Sequence, residues 1–505
     1  MSASIPYPSQ NSEIEQVKRI VGKYFSIYEI RLTPSDVSFY VRSAFSDVDQ
    51  SFDALRRELV PQNFVPMLTL ESGQYVIHVM KTPHTRDTNV VWNILLLIGT
   101  LCTTAFAGMS LWAGYVGINT LEGMLRADVV IYGVLFFGMP LMLILGIHEM
   151  GHYLAARRHG VKATLPYFIP VPPPFLFGTM GAFISIKEPI PDRKALMDIG
   201  FAGPISGFIV AIPVTITGLY LSTIFPPAIT DGGGLILGTS IFYEALAMLV
   251  PFTPAGLHPM AIAGWVGLFV TAINLLPVGQ LDGGHILYAL IGNNARYFGY
   301  AAIFAMLIMS FLYPGWLFFA FLVVILGLRH PQPLNTVSKI DTKRQIFGIL
   351  AVLILFTSFV AIPIRDADVS FRFSSDVTEK PVSKDGSVSF TMIIKNEGEV
   401  YTRYTVKLVK VRLSNNNATI PDNGFESNIS VQFAFTHGQD VSLVSNYSVE
   451  TPRIAPGDQV TFDVSLQIAI KNYSGYNFVK AEFVAYPVGI ENKDESIVFT
   501  ISLPG

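Results

Sequence analysis

The stretch LMLILGIHEMGHYLAARRHG, residues 141–160, places His148, Glu149 and His152 at the end of an apolar run that begins at Val129. Ionisable side chains at membrane depth are costly, so they normally mark a functional site. His148 and His152 are four residues apart and therefore share one face of a helix, with Glu149 beside them. Two imidazoles and a neighbouring carboxylate are what a catalytic zinc site requires from one helix. The stretch therefore predicts a membrane helix that binds a metal ion.

The composition of the whole chain indicates an integral membrane protein. Of its 505 residues, 51% are hydrophobic and only 14% are charged, which is too apolar for an ordinary soluble protein. The net charge of -3 provides no field that attracts nucleic acid. We therefore expect the lipid bilayer, and no nucleic acid, among its partners. Cys102 is the only cysteine in the chain, which excludes an intramolecular disulfide.

Apolar runs predict a multi-pass, polytopic α-helical membrane protein with about seven spans. These spans start near residues 90, 129, 199, 259, 297, 315 and 345. Basic residues follow the second predicted span and precede the last one, so the positive-inside rule places both loops in the cytoplasm. Residues 234–252 are also apolar but contain Glu244, and we interpret them as an interfacial helix. With seven spans, the N-terminus is cytoplasmic and the C-terminus lies on the other side.

Changes in composition divide the chain into four predicted segments. Residues 1–88 have a soluble composition with alternating apolar positions, which predicts a cytoplasmic α+β domain. Residues 89–292 form the core that carries the polar motifs, and residues 293–364 supply additional transmembrane helices. Residues 365–505 contain short alternating strands separated by turn residues, which is typical of a β-sandwich.

The last segment also contains four Asn-x-Ser/Thr sequons, which mark exposed loops in exported domains. They begin at Asn417, Asn428, Asn446 and Asn472, and the rest of the chain has none. Chance occurrence in an Asn- and Ser-rich β-domain is the alternative explanation. The sequons agree with an extracytoplasmic position for this segment. Because the chain begins with no recognisable signal or transit peptide, they favour a prokaryotic, archaeal cell membrane.

A second polar motif offers a third metal ligand. The motif NLLPVGQLDGGH, residues 274–285, lies at the end of the fourth predicted span. Its proline and glycines interrupt a helix, which frees backbone and directs Asp282 inward. His285 is a rival ligand, because zinc accepts nitrogen and oxygen donors alike. A turn at the membrane surface is the alternative role of the Asp-Gly pair. Among the other histidines, we expect His159 to be a solvated loop residue and His258 to lie in a loop.

Together, HEMGH and NLLPVGQLDGG resemble the site-2 protease family of intramembrane zinc metalloproteases, whose signatures are HExxH and N-x-x-P-x-x-x-x-D-G. The segments PYFIP, GTMGAFISIKEPIPDR and DIGFAGPISG further resemble the EGY-like branch of that family. The resemblance covers about residues 90–292 and identifies residues 89–292 as an intramembrane metalloprotease core. It implies that His148, His152 and Asp282 bind one zinc ion per chain and that Glu149 is the general base. It also implies a catalytic role for Asn274 and a substrate-binding role for the GTMG segment, which consists of Gly178, Thr179, Met180 and Gly181.

The function that the resemblance implies is hydrolysis of peptide bonds in or near transmembrane segments of membrane-protein substrates. The alternative is a non-proteolytic, metal-binding transporter or scaffold. A transporter requires polar residues along several spans, and the predicted spans contain almost no ionisable residues outside the two motifs. The oligomeric state is not predicted from the sequence.

Overall fold

The computed structural model describes residues 8–32, 36–43, 47–81, 89–118, 120–228, 235–250, 256–327, 331–383, 386–414, 429–435, 442–445, 447–470, 477–488, 490 and 492–503. The four sequon asparagines lie outside these residues. The chain forms two compact units, and each is described separately below. The first comprises residues 1–228 and 239–362, and the second comprises residues 229–238 and 363–505.

The first unit begins with an α+β fold. Its elements are α1 (Pro8–Tyr24), β1 (Phe25–Leu32), β2 (Val37–Ser43), α2 (Val48–Leu59), β3 (Phe64–Glu71) and β4 (Gln74–Lys81). The strands form an antiparallel sheet in the order β1-β2-β4-β3. One apolar face of each helix and one face of the sheet share a core that includes Val21, Phe39, Leu55 and Ile77. Apolar residues that recur with a period of 3.6 in the helices and of 2 in the strands therefore form one common buried layer.

A helical region follows. Its elements are α3 (Val90–Tyr115), α4 (Leu121–Met124), α5 (Ala127–Gly133), α6 (Met139–Arg158), β5 (Tyr167–Pro170), β6 (Thr179–Phe183), α7 (Arg193–Ile224), α8 (Ile241–Ala247), α9 (Pro259–Asn274), α10 (Asp282–Ile291), α11 (Ala295–Met309), α12 (Gly315–Leu326) and α13 (Thr342–Ser358). A π-helical turn, Val134–Gly138, joins α5 to α6, so that residues 127–158 form one long helical segment.

Within the described residues, three helical segments are long and apolar enough to cross a membrane: Val90–Tyr115, Ala127–Arg158 and Arg193–Ile224. Helix α9 and residues 315–325 are apolar but shorter. Helix α8, in the segment expected to be interfacial, has 7 residues, whereas a span needs about 20. The length and apolar composition of these helices confirm the expectation of a membrane protein with several apolar helices.

The loop after α12 connects the N-terminal sheet to the helical region. The backbone N–H of Leu68 in β3 donates to the carbonyl of Leu334 at 2.7 Å. Leu334 in turn donates its own N–H to the carbonyl of Ile190 at 2.9 Å, and its side chain is buried in the core of the N-terminal fold. Ser338 accepts a hydrogen bond from the N–H of Arg193, the first residue of α7. Residues 331–341 are therefore shared by both parts of this unit.

The second unit is rich in β-structure. Its strands are β7 (Leu235–Leu237), β8 (Ile364–Asp366), β9 (Phe371–Ser375), β10 (Glu379–Pro381), β11 (Ser387–Asn396), β12 (Tyr404–Ser414), β13 (Ile429–Phe435), β14 (Ser442–Ser445), β15 (Ser448–Glu450), β16 (Gln459–Ile470), β17 (Phe478–Pro487) and β18 (Glu495–Ser502). One sheet has the order β10-β18-β17-β12-β15-β14 and the other the order β13-β16-β11-β9. Phe390 and Phe499, one from each sheet, meet with ring centroids 4.0 Å apart in a core to which both sheets contribute. This confirms a sheet-rich C-terminal region.

Candidate metal centre

Three potential ligand atoms from the two sequence motifs meet inside the helical region. His148 Nε2 and His152 Nε2 each lie 3.2 Å from Asp282 Oδ2, and the two imidazole nitrogens are 3.2 Å apart. His148 and His152 are buried, and the Asp282 side chain is 15% exposed. Within the described residues, this is the only group of three or more His, Cys, Asp or Glu side chains close enough to hold a metal ion.

The spacing of these atoms fits a zinc ion. Bonds of about 2.0–2.1 Å in tetrahedral geometry place neighbouring ligand atoms about 3.3 Å apart, close to the 3.2 Å sides of this triangle. Two imidazoles and one carboxylate also form a donor set known from catalytic zinc sites, which keep a fourth position open. The residues present therefore fit the metal that the sequence motifs imply.

Small residues on α7 allow the HExxH helix to pack closely against it. A β-carbon at Gly203 would overlap the imidazole of His152, and one at Gly207 would come within 3.1 Å of the His148 ring. On the facing helix, Gly151 leaves room for the carbonyl of Ala202. The segment DIGFAGPISG thus forms the wall against which both imidazoles rest. Its glycines are needed because the ligands lie between two closely packed helices.

A backbone contact orients His152. Its Nδ1 lies 2.8 Å from the carbonyl of Ile199, which accepts a hydrogen bond and therefore places the ring proton on Nδ1. Nε2 is then available as a ligand atom. Ile199 follows Asp198, whose carboxylate binds Arg344 of α13 at 2.5 Å and His159 at 2.9 Å. His159, expected to be a solvated loop residue, lies in the turn directly after α6 with 25% of its side chain exposed, and its contact with Asp198 ties this turn to the start of α7.

Asp282 reaches the centre because the chain stops being helical before it. Helix α9 ends at Asn274, and α10 begins at Asp282 itself. Gly279 in the intervening turn has a φ of 47°, a conformation that favours glycine. The rival ligand, His285, lies one turn further along α10 with its β-carbon against Gly200 of α7. His285 is not one of the three close donors.

Two further residues of the motifs contact the centre. Asn274 Nδ2 lies 3.3 Å from His148 Nε2, so the last residue of α9 borders the metal triangle. Glu149 is buried, with a carboxylate oxygen 4.0 Å from His148 Nε2. Its carboxylate also accepts a hydrogen bond from the backbone N–H of Ile184, directly after β6. The glutamate is thus held between the metal triangle and the β-hairpin.

The GTMG segment forms part of that hairpin. Strands β5 and β6 pair antiparallel, with Tyr167 opposite Phe183 and Pro170 opposite Thr179. Gly178 has a φ of 70°, and its carbonyl accepts a hydrogen bond of 2.6 Å from Thr103 Oγ1 on α3. A β-carbon at Gly178 would overlap the carbonyl of Thr103. The hairpin is therefore fixed to α3 at one end and to Glu149 at the other.

His258 was expected to lie in a loop, and it caps the N-terminus of α9. Its Nδ1 accepts a hydrogen bond from the N–H of Met260 at 3.2 Å. The buried ring is surrounded edge-on by Trp112, Tyr115 and Phe136. Sequence reasoning overlooked this aromatic cluster, because its members are separated in the chain and each resembles an ordinary membrane-helix residue.

Comparisons with known proteins agree with this geometry. Residues 136–313 match the model of peptidase family M50. The chain is 35% identical over 229 residues to "Probable zinc metalloprotease EGY1, chloroplastic" of Arabidopsis thaliana, covering 42% of this chain and 40% of the relative. It is 34% identical over 246 residues to the EGY1 protein of Oryza sativa subsp. japonica, covering 46% and 40% of the two chains. Similarity to "Probable zinc metalloprotease EGY2, chloroplastic" of Arabidopsis is 30% over 229 residues, covering 43% and 39%.

The chain spans about 40% of the length of these curated relatives. Among solved structures, the PapD-like domain of human CEP192 aligns with 27% of this chain and 84% of its own, at a TM-score of 0.17 and 9% identity. That similarity is too low to inform fold or function.

The fold and the site define a class: a membrane protein in which two histidines and an aspartate lie close enough to hold a metal ion, with a glutamate beside them. Within that class, residues 136–313 match peptidase family M50, and the same region is similar to the EGY zinc metalloproteases.

Proposed function

We propose that this chain is a zinc metalloendopeptidase that cleaves membrane-protein substrates in or near their transmembrane segments, as in regulated intramembrane proteolysis. The observation that supports this most directly is the triangle of His148, His152 and Asp282, with sides of 3.2 Å. Buried Glu149 lies beside it. A metal-binding site of purely structural type would not require an additional buried carboxylate next to the ligands.

His148, His152 and Asp282 would hold the zinc. When bound, the ion polarises the scissile carbonyl and lowers the pKa of the attacking water. Glu149 is placed to take a proton from that water and to return it to the leaving amine. The N–H of Ile184 holds the Glu149 carboxylate in place, and the carbonyl of Ile199 keeps the His152 ring in its ligand orientation. Asn274 Nδ2, which borders the triangle, would donate a hydrogen bond to the substrate carbonyl as negative charge develops on it.

The hairpin is proposed as the substrate-binding element. A transmembrane helix has its carbonyls bonded internally and must unwind before one of them can be attacked. Within the described residues, β6 pairs only with β5, so its other edge is available for an extended peptide to add as a strand. Gly178, Thr179, Met180 and Gly181 lie at the start of this edge, and the Met180 side chain is 46% exposed.

The proposed architecture is about seven spans with four segments, at residues 1–88, 89–292, 293–364 and 365–505. Helices α9, α11, α12 and α13 would be the four spans beyond the three long ones. The N-terminal segment would be cytoplasmic, because Arg157, Arg158 and Lys162 follow the second span. The C-terminal sheets would then be extracytoplasmic. The cleavage assay described below also tests whether these sheets select substrates.

We propose that the chain is an integral membrane protein, without assigning it to a particular cell membrane. Membrane-protein character is supported by the family and by the apolar helices. The named relatives are chloroplast proteins of plants, which gives no support to the expectation of an archaeal cell membrane. The proposed partners are the lipid bilayer and transmembrane substrates, with no nucleic acid.

The proposal is tested with Glu149→Gln in the full chain. The substrate is a single-span reporter protein with helix-breaking glycine and proline residues in its transmembrane segment. We expect cleavage to fall by about 10²- to 10⁴-fold, as for loss of a general base, while zinc measured by elemental analysis stays at about one per chain. Glu244→Gln on α8 is the matched control and should cleave like the wild type. Undiminished turnover in Glu149→Gln, or a wild type that binds zinc but cleaves no reporter, would favour the transporter or scaffold.

A further inference from the structure

A cavity of about 530 Å³ lies away from the metal centre, between the beginning of α3 and the end of α6. Three of the side chains that line it are basic: Arg157, Lys162 and Lys187. No acidic residue lines it. The proposed protease chemistry uses none of these residues.

One of the three cations is not neutralised by the protein. Within the described residues, Arg157 has no carboxylate partner, and its guanidinium lies 5.8 Å from the ring centroid of Tyr153, which also lines the cavity. Lys162 binds Glu188 at 2.9 Å, with 82% of its side chain exposed. The cavity therefore has an excess of positive charge and a guanidinium that is free to bind an anion, for which phosphate is a preferred partner.

The cavity is already formed by paired backbone. The N–H of Lys187 donates to the carbonyl of Lys162 at 2.8 Å, and that of Thr164 donates to Ser185 at 3.0 Å. Asn93 of α3 donates its side-chain amide to the carbonyl of Leu165 at 2.7 Å. These bonds join both sides of the cavity, so an anion would enter a site that needs little rearrangement.

The position of the cavity indicates a lipid. Helices α3 and α6 are parts of two candidate spans, so we expect the first residue of one and the last turn of the other where the bilayer meets water. Val90, which lines the cavity, is 52% exposed, and the chain neighbours of the lining residues Asn93 and Tyr153 are exposed too, Trp92 by 63% and Leu154 by 58%. A tryptophan at this depth is typical of the membrane interface. An acyl chain along these side chains would leave its phosphate facing Arg157.

We propose that this cavity binds the phosphate of an anionic glycerophospholipid, with Arg157, Lys162 and Lys187 around the headgroup and the acyl chains on the exposed faces of α3 and α6. The paired segments that form the cavity lead directly into Ile184, whose N–H holds Glu149. Bound lipid would therefore stabilise the hairpin next to the metal centre. The binding itself does not depend on proteolysis.

The test measures lipid binding, not cleavage, on the delipidated full chain by native mass spectrometry and fluorescence titration. Phosphatidylglycerol should bind more tightly than phosphatidylcholine. Arg157→Gln should weaken phosphatidylglycerol about 5-fold, and Arg157→Gln with Lys187→Gln about 25-fold, since each basic residue near the surface contributes a similar factor. Arg158→Gln is the matched control, because Arg158 is the next residue in the chain and does not line the cavity.

Three results would overturn the proposal. The first is equal affinity for the two lipids, and the second is an equal loss in Arg158→Gln, which would indicate diffuse attraction. The third is Arg157-dependent binding of inorganic phosphate or of an acidic peptide by a chain that binds no lipid, which would assign the cavity to another ligand. An unchanged melting temperature of Arg157→Gln excludes misfolding as the cause of its lost binding.

Discussion

Gly203 shows how a single residue links helix packing to metal chemistry. It lies on α7, where any β-carbon would overlap the imidazole of His152. That imidazole is also fixed by the carbonyl of Ile199, four residues earlier on α7. A ligand held between two such contacts has one orientation, and this rigidity is what a metal site requires of its surroundings.

We therefore predict that Gly203→Ala lowers zinc affinity by at least about 10-fold, as loss of an orienting neighbour does. The added methyl group must displace the His152 ring from the triangle. The measurement is zinc content after dialysis against a series of chelator concentrations. Gly146→Ala on α6 is the control, because a β-carbon there meets no neighbouring atom. Equal zinc retention by both variants would contradict the packing argument.

Asp198 supports the same imidazole from a distance. Its carboxylate binds Arg344, and the side chains of this pair are 22% and 19% exposed. The residue after it, Ile199, supplies the carbonyl that orients His152. The ion pair thus connects α13 to the start of α7 and, through it, to the metal centre.

Asp198→Asn should lower the free energy of unfolding by about 1–3 kcal/mol, since it removes the more buried of the two carboxylates, Asp198 and Asp341, that pair with a partly buried arginine. Zinc affinity should fall with it. Thermal unfolding in detergent, with and without zinc, measures both effects. Asp128→Asn is the control, because Asp128 pairs with Arg126 in the open, at 47% and 60% exposure, and exposed pairs contribute little. A loss in Asp128→Asn as large as in Asp198→Asn would refute the role assigned to burial.

At the level of elements, the β-hairpin is placed by contacts at both of its ends. Thr103 of α3 binds the carbonyl of Gly178, and Glu149 of α6 binds the N–H of Ile184. Neither helix alone sets the position of β6. The proposed substrate edge is therefore a property of three elements together.

Thr103→Val should reduce cleavage about 5-fold with zinc content unchanged, because it removes one hydrogen bond worth about 1 kcal/mol without changing the side-chain shape. The decrease should appear in kcat/KM measured with the membrane reporter as substrate. Thr100→Val on the same helix is the control, since Thr100 Oγ1 bonds only to the carbonyl of Leu96 within α3. Loss of zinc in Thr103→Val would show that the hairpin supports the metal centre rather than the substrate.

At the level of the whole molecule, residues 331–341 couple the N-terminal fold to the start of α7. Leu334 is 2% exposed and packs in the N-terminal core. Asn335 donates to Asp49 of α2 at 2.8 Å, and its N–H bonds to the carbonyl of Pro191. The N-terminal fold is thus completed by a segment that follows α12, far along the chain.

Leu334→Ala should destabilise the N-terminal fold by about 2–5 kcal/mol, as expected for a buried leucine truncated to alanine. Limited proteolysis should then cleave within residues 8–81 much faster than in the wild type, with the metal centre still loaded. Leu32→Ala provides the control, because that leucine is 62% exposed. Equal proteolysis of the two variants would mean that residues 331–341 only touch the N-terminal fold.

The sequence alone determined the class of this protein. The apolar runs predicted a membrane protein, and HExxH predicted the metal ligands His148 and His152, because four residues on a helix bring two side chains to one face. These inferences depend on local geometry and on the cost of placing polar groups in lipid, both of which can be deduced from neighbouring residues.

Only the tertiary structure decided which distant groups meet. From the residues alone, Asp282 is either a ligand or a turn residue, with His285 as a rival ligand, and the break before α10 brings Asp282 to the two imidazoles. The pairing of His159 with Asp198, the aromatic cluster around His258 and the basic cavity at Arg157 all join side chains from separate elements. Such contacts depend on how helices pack, and packing is set by the shapes of many side chains together rather than by any short pattern.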